Sequence, residues 1–323
     1  MAVLSRVIAL VAVGVLAACT SRVGGVPVAD GTVPPAAEEL TAESVFDDFT
    51  MVNPCSLTEP SVFENFGSAG FGAPESTLDY CTIIVKLATG AQATVNVGQF
   101  GELEATPELE GKRVRDVERG LWVGQHSDDP SFCTQLLVFP DGVTMEVRAY
   151  ESAGEVDTCP IVEAGVDYAI EVVLNDGVSH RSPATNSLVS VDPCSLIDDK
   201  DVTAIPGLRG VREPADYPGK HSCYWDGGKT VGMAVTFGAG PKPRDDNAES
   251  VAGRPTVVIP VEVEARSYCS VRTAHIPFTE VNGVEDYFEV ARVFVRLPPG
   301  QSAAACTAAR ALAEAVWPKL PRM

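Results

Sequence analysis

The chain has 323 residues, 45% of them apolar, which is enough for two ordinary cores. Its formal net charge of −20 is uneven: residues 20–185 carry 27 acidic and 8 basic side chains, residues 186–323 carry 17 and 15. This balance disfavours nucleic acid and direct adhesion to anionic lipid head groups; the acidic half suits a basic partner or a cation, the near-neutral half a pocket.

Residues 1–18 place one positive charge, Arg6, before an apolar run at 7–18. The run is too short to cross a bilayer and ends in small side chains, as a secretory signal does. Leu16-Ala17-Ala18-Cys19 resembles the bacterial lipobox, in which the cysteine thiol receives diacylglycerol and the signal is cut before it. Cys19 is thus the expected lipidation site, and acyl chains at about 0.8 kcal/mol per buried methylene would hold the protein on the extracytoplasmic face of the cell membrane. Residues 19–50, with Gly24-Gly25, Pro34-Pro35 and Glu38-Glu39, read as a flexible tether.

Val52-Asn53-Pro54-Cys55-Ser56-Leu57 then recurs as Val191-Asp192-Pro193-Cys194-Ser195-Leu196. Each copy opens a segment holding four cysteines, so the chain reads as a first module at 51–176, a linker at 177–190 and a second module at 191–323. In the first module the pattern predicts a short helix at 58–66, a glycine-rich loop, and strands at 80–87, 91–100, 113–117, 120–123, 133–139 and 143–150. A helix at 160–174 closes it, with Val162, Val166, Ala169, Ile170 and Val173 as its apolar stripe. The second module repeats the order. A short helix follows Cys194, a hairpin turns at Asp226-Gly227-Gly228, a polar loop spans 238–250, strands lie at 255–263, 267–274 and 287–297, and a last helix spans 302–317. Helix, antiparallel strands and helix make an α+β layout: two similar modules, each a sheet with an N-terminal and a C-terminal helix.

Setting Cys19 aside leaves eight cysteines, an even count that argues for disulfides in an exported chain. The chain has no Cys-x-x-Cys pair, which speaks against zinc and thioredoxin-like redox sites. In each half the first cysteine opens the first helix, the second lies on the first strand, the third on a late strand and the fourth at the start of the last helix. Sequential pairing, Cys55–Cys81, Cys133–Cys159, Cys194–Cys223 and Cys269–Cys306, would staple both helices of each module to its sheet. Three connectivities per half remain open at this point.

The second module's Pro193-Cys194-Ser195-Leu196, Cys223-Tyr224-Trp225, Gly253-Arg254-Pro255 and Ala305-Cys306-Thr307-Ala308-Ala309 resemble the actinobacterial lipoproteins of domain of unknown function 3558. The first module departs from that pattern: Cys81-Thr82-Ile83 lacks the tryptophan and Gly111-Lys112-Arg113 stands where Gly-Arg-Pro is expected. The resemblance implies an exported cell-envelope lipoprotein, built like the disulfide-stapled sensor domains of mycobacterial kinases. It brings no catalytic residues, since the family has no assigned activity.

Candidate sites are sparse. His126, His180, His221 and His275 stand in no metal-ligand spacing, and neither a Gly-x-Ser-x-Gly elbow nor a phosphate-cradling loop occurs. His126-Ser127-Asp128-Asp129, Asp245-Asp246 and Glu102, Glu104, Glu108 and Glu110 carry ligand atoms without the ordered alternation of a calcium loop, and His180-Arg181-Ser182 lies in the linker. Solvated surface is the expectation for all of them, with no metal and no cofactor. The sequence therefore favours a non-enzymatic lipoprotein, a binding, sensor or accessory module whose partner is an envelope protein or a small lipid or glycan. The alternatives are an envelope hydrolase with dispersed catalytic residues and a structural or assembly lipoprotein.

Overall fold

Both copies of the repeat make the same capped turn. The Asn53 side chain accepts a hydrogen bond from the Cys55 N–H at 3.1 Å, and Ser56 Oγ donates to the Asn53 carbonyl at 2.8 Å. Asp192 accepts from the Cys194 N–H at 2.8 Å, and Ser195 Oγ donates to the Asp192 carbonyl at 2.7 Å. Proline opens the 3-10 turns Pro54–Ser56 and Pro193–Leu196, where its fixed φ and missing N–H cost nothing. The repeated motif thus presents a cysteine to a sheet at a fixed place.

The computed structural model describes residues 38–75, 77–151, 156–212, 218–242, 248–279 and 286–323. In chain order the elements are α1 (Ala42–Phe46), β1 (Gly67–Gly72), β2 (Cys81–Leu87), β3 (Gln92–Glu102), β4 (Arg113–Asp116), β5 (Trp122–Asp129), β6 (Phe132–Val138), β7 (Val143–Glu151) and α2 (Cys159–Leu174). There follow α3 (Asp199–Ala204), β8 (Ser222–Asp226), β9 (Gly232–Pro241), β10 (Ala248–Val251), β11 (Arg254–Val263), β12 (Arg266–Pro277), β13 (Tyr287–Leu297) and α4 (Ser302–Val316).

The fold is α+β, with two antiparallel sheets. The first has the order β1-β2-β3-β7-β6-β5-β4 and the second β10-β11-β12-β13-β9-β8. Read from its β8 edge, the second sheet matches the first strand for strand, β8 with β2, β9 with β3, β13 with β7, β12 with β6, β11 with β5 and β10 with β4; β1 is the addition. One topology has been built twice. Four disulfides, Cys55–Cys81, Cys133–Cys159, Cys194–Cys223 and Cys269–Cys306, take matching places in the two copies. They tie a turn to β2 or β8, and α2 or α4 to β6 or β12.

One face of each sheet packs under a helix. Helix α2 lays Ile161, Val162, Val166, Ala169 and Val173 on β6 and β7, and α4 lays Ala309, Leu312, Ala313 and Val316 on β11, β12 and β13. The inward residues alternate along the strands, as in Ile83 and Val85 of β2 or Cys269 and Val271 of β12. Trp225 lies inward beside Cys223 and donates Nε1–H to Asp199 of α3 at 2.7 Å.

Several local expectations are corrected. The helix expected at 58–66 is a 3-10 turn, Pro60–Phe63, because the chain enters β1 four residues later. The glycine-rich loop after it contains β1, an edge strand without the usual apolar alternation. Its glycines permit close approach: a Cβ on Gly67 would stand 2.1 Å from the Lys86 carbonyl oxygen. In the polar segment 238–250, β9 continues to Pro241 and β10 begins at Ala248. The tether expected over 19–50 does not extend to its last residues. Leu40, Ala42 and Phe46 are buried in the first core, where Phe46 packs 4.5 Å from Phe100 and 5.4 Å from Phe139. Three apolar anchors within seven residues outweigh the polar character of the rest. Cys19 and residues 1–18 lie outside the described residues.

Residues Glu39–Met323 form one compact unit, and the two modules interlock within it. The connection from β1 to β2 docks along β9 past the end of β8, through Leu78 N–H to Phe237 O at 2.7 Å and Ala239 N–H to Pro74 O at 3.0 Å. Leu78 is fully buried in the second module's core. The predicted linker is equally engaged: His180 bridges to Val52, and Leu188 and Val189 are buried in the second core.

Candidate functional site

On the first sheet the outward residues of β2 and β3 are Thr82, Ile84 and Lys86, and Gln92, Thr94 and Asn96. Tyr150 of β7 stands beside them, Gly72–Glu75 form one wall, and Tyr287 at the start of β13 reaches across from the second module. Together with Tyr80 they line a cleft of about 320 Å³, at the lower end of small-molecule sites. Thr82 Oγ1 donates to Asn96 Oδ1 at 2.8 Å on its buried floor. At the mouth, Tyr150 and Phe132 are exposed and stacked with ring centroids 6.3 Å apart. Among the described residues the polar lining is hydroxyl, amide and phenol, with Glu75 as its one carboxylate and no cationic side chain, and Ala73, Pro74 and Ile84 add an apolar part.

The hydrogen bond from the Tyr80 hydroxyl to Glu146 Oε1, at 2.5 Å, separates this cleft from a second of about 280 Å³. The second is lined by Gln99, Glu102, Thr106, His126, Thr144, Glu146 and Tyr224 among others. Arg148 lies over the Tyr80 ring, its guanidinium carbon 4.5 Å from the centroid, and 3.4 Å from Glu146. Burial first, then the charge of Glu146, pushes the Tyr80 phenol well above its ordinary value, and burial raises Tyr224 as well. Both phenols therefore stay protonated at neutral pH, as hydrogen-bond donors and not as charges.

Beside the clefts lies a sealed ionic contact between the modules. His221 Nδ1 is 2.6 Å from Asp79 Oδ1, and both side chains are almost fully buried. Burial alone would raise the Asp79 carboxyl, but the charge and hydrogen bond of His221, a hydrogen bond from Thr77 and the field of Arg181 hold it below its usual value. His221 Nε2 faces the Val189 carbonyl at 2.9 Å, an acceptor only. Gly219 makes room for the pair: a Cβ there would stand 2.4 Å from Asp79 Oδ1. With both nitrogens engaged and no solvent access, the pair cannot act as a catalytic base; it is a latch.

The remaining sequence candidates sort in the same way. Surface was expected for every histidine, and the structure corrects this for His221 and His275. His275 is buried between Arg254, 3.3 Å from its Nδ1, and the Asn186 carbonyl, 2.5 Å from its Nε2. Burial lowers its pKa, helped by the charge of Arg254 and opposed by the bond to Asn186, which fits a neutral ring donating from Nε2. Arg254 itself binds the Pro321 carbonyl at 2.6 Å, so the Gly253-Arg254-Pro255 motif clamps the chain beyond α4. His180, placed in a loop without an orienting group, is oriented by the Phe46 carbonyl, 2.8 Å from Nε2. These histidines close gaps between elements distant in sequence, which no local pattern reveals.

His126 faces the second cleft, while Asp128 and Asp129 sit at the exposed β5–β6 turn, where Asp129 accepts from Ser131. Glu102, Glu104, Glu108 and Glu110 lie around 3-10 turns at 103–112 that cover part of the first sheet; Leu109 beneath them packs with Trp122, Leu136 and Val138. Among the described residues no three His, Cys, Asp or Glu side chains converge as a metal site would require. Asp245 and Asp246 lie outside the described residues. The tyrosines escape sequence reasoning as a group, because Tyr80 and Tyr150 meet through the pairing of distant strands and Tyr224 and Tyr287 join their clefts only when the two sheets dock. Among family models, curated proteins and solved structures, nothing matches this chain.

Proposed function

We propose that this protein is a non-enzymatic cell-envelope lipoprotein, anchored through Cys19, that binds a neutral, hydroxyl-rich ligand of the sugar class in the cleft between its modules. The observation that carries the reading is the lining: tyrosine, threonine, asparagine and glutamine side chains around about 320 Å³, with an exposed aromatic stack at the mouth. Amides and hydroxyls match a polyol's alternating donors and acceptors, and a flat aromatic face covers the apolar face of a sugar ring. A long acyl chain would find too little apolar wall there. The resemblance to exported lipoproteins and the paired cysteines support the location, since disulfides persist in oxidising compartments.

The test is binding of the full-length chain to an array of neutral and charged envelope oligosaccharides, repeated with Tyr150→Ala and Asn96→Ala. Retention of neutral saccharides that both substitutions weaken about tenfold is expected. A chain that binds no saccharide, or binds one equally well with either substitution, would dismiss the reading. Mass-spectrometric detection of amide-linked or thioether-linked lipid on Cys19 tests the anchor separately.

A further inference from the structure

The outer face of the second sheet has a different chemistry. The strand registers place its outward residues in cross-strand rows: Val261, Tyr268 and Arg296 in one, Ile259, Ser270, Phe294, Ala234 and Tyr224 in the next, and Arg272 opposite Arg292 in a third. Helix α4 packs on the other side of the sheet. Tyr268 and Phe294 form an aromatic pair with centroids 5.1 Å apart and belong to neither core, and Val261 and Val263 are 42% and 43% exposed. Arg266 lies over the Tyr268 ring at 5.3 Å.

The cations of this face are poorly matched within the molecule. Arg272 and Arg292 are direct cross-strand neighbours, an arrangement that repels. Among the described residues neither Arg266 nor Arg272 forms an ion pair; Arg292 donates to the Glu75 carbonyl at 2.7 Å, and only Arg296 reaches a carboxylate, Asp226 at 3.1 Å. Beside Arg296 and Arg266 a shallow depression also contains Lys229, with Asp226 as its one carboxylate among the described residues. In a chain of net charge −20, this is a local inversion of sign.

We propose that this face docks an acidic protein partner, whose carboxylates pair with Arg266 and Arg272 and whose apolar side chains cover Tyr268 and Phe294. Charge complementarity selects the partner's sign, and guanidinium groups match carboxylates through paired N–H donors. The aromatic and valine centre selects a protein over a bare polyanion, because apolar centres rimmed by arginine are what protein interfaces use for their strongest contacts. The two proposals rest on different side chains, Arg266, Arg272, Tyr268 and Phe294 here and Asn96 and Tyr150 in the cleft, so either can fail alone.

The experiment uses the full-length chain and three probes: a random glutamate–tyrosine copolymer, poly-glutamate, and phosphatidylglycerol vesicles. The copolymer is expected to bind more tightly than poly-glutamate, and Arg272→Glu or Phe294→Ser to weaken it about tenfold or more. Thermal unfolding of both variants establishes that they fold. Absence of copolymer binding, or binding that survives both substitutions, overturns the proposal. Binding to vesicles but not to the copolymer, lost in the same variants, overturns it in favour of a membrane-facing surface.

Discussion

Aligned on their cysteines, the two sheets agree inside and disagree outside. Inward, Val97 and Val147 of the first correspond to Val235 and Val293 of the second, all fully buried. Outward, the row Thr82, Asn96, Arg148 and Thr134 corresponds to Tyr224, Ala234, Phe294 and Ser270, and Glu146 opposite Leu136 corresponds to Arg292 opposite Arg272. A charge has changed sign at one position of a retained scaffold. Disulfides and helix packing fix the inner face, while the outward rows differ in chemistry on the same registers. The first sheet carries a polar cleft and, beside it, a second one bordered by the acidic segment; the second sheet carries an open arginine and aromatic face.

If the scaffold is truly shared, its staples should matter alike in both halves. Replacing Cys133 and Cys159 by alanine, or Cys269 and Cys306, should each cost about 3.5–4 kcal/mol in urea unfolding, given separations of 26 and 37 residues. A large cost in one module and none in the other would break the equivalence. The docking of the modules is tested by Leu78→Ala, which removes a first-module side chain from the second core and should cost about 2–5 kcal/mol while leaving a single transition. Two resolved transitions in the parent protein would show that the modules fold separately.

The latch adds a pH dependence of definite sign. Asp79 has a lowered pKa in the folded protein, so its contribution is complete above the ordinary carboxylate range and is lost as pH falls through the folded value. Asp79→Asn should therefore destabilise at neutral pH, by about 3–5 kcal/mol for breaking a buried pair, and should flatten the fall in stability toward acid. Parallel pH profiles for parent and variant would remove Asp79 from the account. The smallest effect expected is a gain: Arg272→Glu converts a repelling cross-strand pair into an attractive one worth about 0.2–1 kcal/mol. Loss of partner binding together with a slightly raised unfolding midpoint would mark Arg272 as retained for recognition.

Much of this scaffold is legible in the sequence. The repeated Asx-Pro-Cys-Ser turn, the helix stripes and most strand pairs follow from local rules, and the topology carries them into two matching sheets. What is not legible depends on distant segments meeting. Strand β1 lacks a pattern because glycine is needed where it closes on β2, and α1 is too short to signal itself beyond three apolar residues. Leu78, Asp79 and His221 acquire their roles only when the modules dock, and the cleft tyrosines come from four separate strands or their flanks. The near-neutral second module was the expected place for a pocket, whereas the tyrosine-lined cleft opens on the acidic first module with only Tyr287 contributed by the second.

The measurement that tests most directly whether two outer faces on one scaffold carry two recognitions is a crossed binding experiment. Neutral oligosaccharide and glutamate–tyrosine copolymer are titrated against the parent protein, Tyr150→Ala and Arg272→Glu under one buffer condition. Each variant should lose only its own ligand, Tyr150→Ala the saccharide and Arg272→Glu the copolymer. Loss of both ligands in either variant, or of neither in both, would contradict the assignment of separate chemistries to the two sheets.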